Sequence, residues 1–105
     1  MTEEICKTAP TYSEIKEMEP EPEEMLEGGD HVDEWYEAAP LTAACIFVQA
    51  ANESDRFCET FVANGSWRDV MNEEVPEYYE KVMDLNLSAF QGGHAESKAR
   101  KYLNE

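Results

Sequence analysis

The sequence predicts an all-α protein, a small bundle of about four to six short helices carrying an acidic N-terminal segment. Three observations point there. No stretch of useful length alternates polar and apolar residues with period two, as a half-buried strand does. Around the helix expected from Pro76 to Phe90, the residues Val75, Tyr79, Val82, Met83, Leu87 and Phe90 fall on one face at 100° per residue. Helix start and stop signals recur along the whole chain.

Thr11 with Glu14 reads as a capping box opening a short helix. Pro20 must end it, because proline lacks an N–H and disfavours a helical residue before it. The Glu19–Glu24 stretch is then either a stiff acidic connector or a one-turn helix with Pro22 at its first position, stopped by Gly28-Gly29. Asp30 is the expected N-cap of a helix over 31–38, with Val32, Trp35 and Tyr36 on its apolar side. Pro40 starts the most hydrophobic helix, apolar on nearly every face from Leu41 to Ala51 and therefore central. The polar residues Asn52–Asp55 favour a tight bend into a second helix ending at Asn64-Gly65. Ser66 with Asp69 predicts another capping box, before a segment interrupted at Pro76. The helix over 76–90 stops at Gly92-Gly93, and a last one runs over 94–103 with Lys98, Arg100 and Lys101 where cations suit the helix dipole. The expected core is Phe47, Val48, Phe61, Tyr79, Val82 and Phe90.

At 105 residues the chain is expected to form one domain, with 1–30 as an acidic, extended or partly ordered leader and 31–105 as the helical core. Its 42% apolar content is enough for a core. No leader of basic and apolar residues opens the sequence. The longest apolar run, Ala43–Val48, is too short to span a bilayer. Three cysteines, Cys6, Cys45 and Cys58, make an odd count without a CxxC pair, which argues against a disulfide framework and for buried thiols. A cytoplasmic protein is expected on those grounds, and the two glycosylation-like triplets at Asn52 and Asn64 are read as accidental.

Charge is the dominant signal. Twenty-four acids against eight bases give a net charge of -16, with 13 acids and 2 bases in residues 1–39. Such a field repels nucleic acid and anionic membranes, excluding both as direct partners, and attracts basic proteins. Halophilic adaptation would spread the acids evenly; here they crowd one end.

Two clusters are candidate binding residues. Glu23, Glu24, Glu27, Asp30, Asp33, Glu34 and Glu37 place seven acids in fifteen residues, interleaved with Trp35 and Tyr36, and carboxylates beside aromatics offer Arg and Lys both an ion pair and a π face. The bland alternative is an acidic leader with Trp35 tucked into the core. Glu73, Glu77, Glu80 and Asp84 form a second stripe over about 16 Å of helix, near the charge density of a DNA strand. Its alternative is a solvated helix face, and Pro76 disturbs the placement of Glu73.

Catalysis finds no support in metalloprotease, hydrolase, phosphate-loop or calcium-loop spacings. His31, one turn from Glu34, and His94 make a weak metal case. Cys58 beside Arg56 makes a weak nucleophile. No enzyme, metal or cofactor is expected.

Small size and concentrated acid make the chain resemble the phage and mobile-element inhibitors of restriction or CRISPR systems. The resemblance is one of composition and covers no motif. It implies an inhibitor occupying a basic, normally nucleic-acid-binding surface of a protein or complex. An assembly adaptor forming a homo-oligomer or complex, and an antitoxin, are the alternatives.

Overall fold

The computed structural model describes residues 2–104, and the side chains of 5–30 and 32–104. It is all-α. Among the described residues eight helices follow in order: α1 (Thr2–Lys7), α2 (Tyr12–Met18), α3 (Pro22–Glu27), α4 (Asp30–Glu53), α5 (Asp55–Val62), α6 (Trp67–Glu74), α7 (Pro76–Asp84) and α8 (Ala89–Leu103). The count exceeds the expected range because residues 2–27, expected as an extended or partly ordered leader, form three short helices. Among the described residues no helix is long and apolar enough to cross a membrane.

Helix α4 is the axis of the molecule. It runs 24 residues without a break at Pro40, so the two helices expected over 31–38 and 41–51 are one, about 36 Å long at 1.5 Å per residue. Proline in a helix interior removes the hydrogen bond to the carbonyl four residues back, here that of Tyr36. The buried Gln91 side chain replaces it: its Nε2 donates to the Tyr36 carbonyl at 3.1 Å. The same side chain closes the capping box of α8, its Oε1 accepting from the Ser88 N–H at 3.0 Å while Ser88 Oγ accepts from the Gln91 N–H at 3.2 Å. One glutamine thus starts α8 and mends α4.

That box also explains a second departure from expectation. The helix over 76–90 ends at Asp84, Asn86 turns the chain at φ 51°, and α8 begins at Ala89 and runs straight through Gly92-Gly93. Asn86 takes the left-handed position that glycine usually fills after a helix. The paired glycines keep negative φ and stay helical. Phe90 therefore does not close an apolar stripe with Val82. It sits in the first turn of α8, 76% exposed.

Most of the other punctuation follows the expected chemistry, but Gly29 and not Asp30 is the N-cap of α4, and Asp30 is its first helical residue. Thr11 and Glu14 form their capping box, Pro22 stands at the start of α3, and Gly28 caps it at φ 73°. Ser54 ends α4 and caps α5, accepting from the Phe57 N–H at 3.1 Å. Val75 leaves the helical region at φ -137° and ψ 62° before Pro76, which splits α6 from α7. Ser66 precedes α6 without a side-chain cap bond, so the second capping box does not form.

The core gathers on α4. Ala39, Ala43, Ala44 and Ala50 of α4 and Ala95 and Ala99 of α8 are fully buried, and their small side chains let the two helices pack closely along their length. At one end Phe47 stacks on Phe61 at 4.8 Å and meets Trp67 edge-on at 5.0 Å. A polar clamp closes this end. Glu96 Oε1 accepts from Trp67 Nε1 at 3.1 Å and from Arg100 at 3.2 Å, and Arg100 Nε donates to the Phe61 carbonyl at 2.8 Å. Of the expected core, Phe47, Val48, Phe61 and Val82 are buried, Tyr79 is half-buried and Phe90 is not buried.

On a different side of α4 Thr42 Oγ1 donates to the Pro10 carbonyl at 2.8 Å, drawing the α1–α2 connection onto α4. Cys6 and Cys45 are joined there by a disulfide, with Cα atoms 5.1 Å apart, and only Cys58 is a free thiol. The expectation of three free thiols is corrected. Parity and spacing say nothing about two helices packed side by side, and α1 packs on α4.

Candidate functional site

The acidic cluster divides between two elements. Glu23, Glu24 and Glu27 lie on α3, a six-residue helix that buries none of its side chains and leaves Leu26 91% exposed. Glu23 and Glu24 sit in its first turn, favourable for the helix dipole, whereas Glu27 at its last residue opposes it. Asp30, Asp33, Glu34 and Glu37 lie on the first two turns of α4, all exposed. Among the described residues no cation pairs with Asp33, Glu34 or Glu37.

The two aromatics of this segment part company. Trp35 is 4% exposed and belongs to the core, so it is not available as a surface anchor. Tyr36, one residue on and 100° around the helix, is 38% exposed. Beside it lies Phe90, which sequence reasoning had placed in the core. Tyr36, Glu37 and Pro40 of α4 and Phe90, Gln91 and His94 of α8 line a slot of about 230 Å³. The signal that could have exposed Phe90 was the Ser88–Gln91 capping spacing, which puts Phe90 in a first helical turn.

The second stripe is not continuous. Glu73 is on α6, across the Val75 break from Glu77, Glu80 and Asp84 on α7, and it pairs with Arg56 at 3.0 Å. Asp84 is also engaged. It accepts a hydrogen bond from the Tyr12 hydroxyl, and Lys16 reaches its carboxylate at 3.5 Å and its carbonyl at 3.0 Å, pinning α2 to α7. The Tyr12 hydrogen bond, followed by the charge of Lys16, holds the Asp84 carboxyl below its ordinary range. The same bond raises the Tyr12 phenol. Glu77 and Glu80 remain as exposed charges beside Lys81.

No family model, curated protein or solved structure matches the chain. Its own chemistry therefore carries the functional case. Among the described residues no group of three or more His, Cys, Asp or Glu side chains is placed to hold a metal ion. The His31 side chain of the weak His31–Glu34 pair lies outside the described residues. Cys58 is half-buried between Asp55 and Glu59, and burial, then those two charges, push its thiol up. That is the opposite of what a nucleophile needs.

Proposed function

We propose that the protein is an interaction or inhibitor protein, not an enzyme, whose acidic α3–α4 face occupies a basic, nucleic-acid-binding surface of a partner protein or complex. One observation carries this. Asp33, Glu34 and Glu37 stand exposed on consecutive turns beside Asp30, and none of the three has a cation within the described fold. Like charges three and four residues apart weaken a helix, so the cluster opposes the stability of the free protein and is explained by a cation it meets elsewhere. Glu77 and Glu80 stay exposed on α7, whereas Glu73 and Asp84 serve the fold first.

The likeness in size and charge to DNA-mimicking phage inhibitors of restriction or CRISPR systems supports this function and adds no residue to it. The cytoplasm was expected from the cysteine count. The Cys6–Cys45 bond weighs against it, because such bonds are rare where thiols are kept reduced. An assembly adaptor is the second reading, favoured by the exposure of Leu26 and Phe90.

Salt separates the two. Capture from a lysate of the source organism at low salt, compared with a Glu24→Lys, Glu27→Lys, Asp33→Lys, Glu34→Lys variant, should retain a basic protein on the native chain alone. That protein should elute as salt rises and should fail to bind its nucleic acid while captured. Retention that survives high salt and the four reversals would establish the adaptor instead.

A further inference from the structure

The acidic face steers and orients a basic partner, but each exposed charge pair adds little affinity, so a lasting contact needs an anchor as well. The slot between α4 and α8 supplies one. Its walls are the Tyr36 and Phe90 rings with Pro40 at the base. At about 230 Å³ it is smaller than the clefts that hold whole ligands and suits a single side chain. It is also held rigid. Gln91 bridges its two walls through the Tyr36 carbonyl that Pro40 leaves open, so the slot is part of the helix packing and not a surface accident.

We infer that this slot receives one large apolar side chain of a basic partner segment, the flanking Lys or Arg residues of which lie on Asp33, Glu34 and Glu37. The inference rests on the acidic-face function proposed above and names its anchor. Charge complementarity selects the occupant. Glu37 lines the slot, and Asp33 falls between Tyr36 and Glu37 around α4, one turn away. A second copy of this chain is disfavoured by the same geometry, because a two-fold contact across Phe90 would set Asp33 and Glu37 of each copy near their equivalents. Phe90 is 76% exposed in the first turn of α8, an apolar exposure that an apolar contact would relieve.

The test uses the full-length protein and three synthetic peptides: a Lys/Arg-rich peptide with one central leucine, the same peptide with alanine there, and a Glu-rich peptide keeping the leucine. Binding is followed by amide chemical shifts and titration at low salt. The leucine peptide should shift Tyr36, Phe90 and His94 and bind about tenfold more tightly than the alanine peptide. The Glu-rich peptide should not bind. Phe90→Ala, a substitution at an exposed side chain, should remove the leucine advantage, so that the two basic peptides bind alike, with the helical circular dichroism kept as the check on folding. Equal binding of both basic peptides, indifferent to Phe90, would overturn the slot and leave the acidic face standing. No binding by either basic peptide would overturn both. A Phe90-dependent dimer in sedimentation would assign the slot to a second copy and overturn the inference.

Discussion

Trp35 and Tyr36 are neighbours in sequence and opposites in role, because 100° of helix rotation separates a ring inside the core from one beside the slot. Composition cannot tell them apart. Both are aromatic, both sit among carboxylates, and the apolar side of α4 is too broad to assign them by periodicity. Trp35→Ala should therefore cost about 3 to 5 kcal/mol of stability, in the range for deleting a buried aromatic ring. Tyr36→Ala removes a ring that is already 38% exposed and should cost clearly less, and urea melts of the two variants check the contrast. Cys58 is a second residue where placement decides behaviour. Unfolded without reductant the protein should show one reactive thiol, and three after reduction, counted by alkylation and mass spectrometry. In the native protein, burial and the charges of Asp55 and Glu59 raise the Cys58 thiol. Labelling should be slow at neutral pH and accelerate only as pH rises beyond the ordinary thiol range. Three thiols without reductant would remove the disulfide and restore the cytoplasmic expectation.

The helices were most legible where a local signal has no competitor. Thr11 and Glu14, Pro22 and Gly28 act on their own neighbours, each does in the structure what its chemistry requires, and the chain bends within Asn52–Asp55 as expected. Pro40 misled because its local effect, the loss of one helix hydrogen bond, is compensated 51 residues away by Gln91, a partner that no window of sequence contains. The coupling between these two residues can be measured. Replacing Gln91 by Met leaves the Tyr36 carbonyl without a partner and should cost about 1 to 3 kcal/mol. In a Pro40→Ala background the restored N–H takes that carbonyl, so the same replacement should cost less. A double-mutant cycle on denaturation free energies reads the difference. Equal cost in both backgrounds would mean that Gln91 acts only through the capping box with Ser88. Ala89–Leu103 teaches the complementary lesson. Gly92-Gly93 reads as a stop, but glycine ends a helix only where the chain turns left-handed, and here it does not.

At the scale of the molecule the charge and the core are nearly independent. The buried alanines, the Phe47–Phe61–Trp67 cluster and the Glu96–Arg100 clamp hold the helices together without help from the α3–α4 carboxylates. The all-α class was legible from period and punctuation because it depends on the apolar faces. The anchor of the candidate site was not, because it depends on how α8 meets α4. If the carboxylates serve a partner, the free protein should be more stable without some of them. Asp30 and Asp33 occupy the first turn of α4, where the dipole favours them, so the informative variant spares both and neutralises Glu34 and Glu37 to Gln. It removes the like-charge spacings Asp30–Glu34, Asp33–Glu37 and Glu34–Glu37 and leaves only Asp30–Asp33. Each such spacing costs a few tenths of a kcal/mol in an isolated helix, so the variant should gain about 1 kcal/mol at low salt. The gain should shrink as salt shortens the screening length to about 10 Å at 0.1 M and less beyond. Thermal melts of both proteins across a salt series measure it. A variant less stable than the native chain at low salt would show that Glu34 and Glu37 belong to the fold, and the acidic face would lose its claim on a partner.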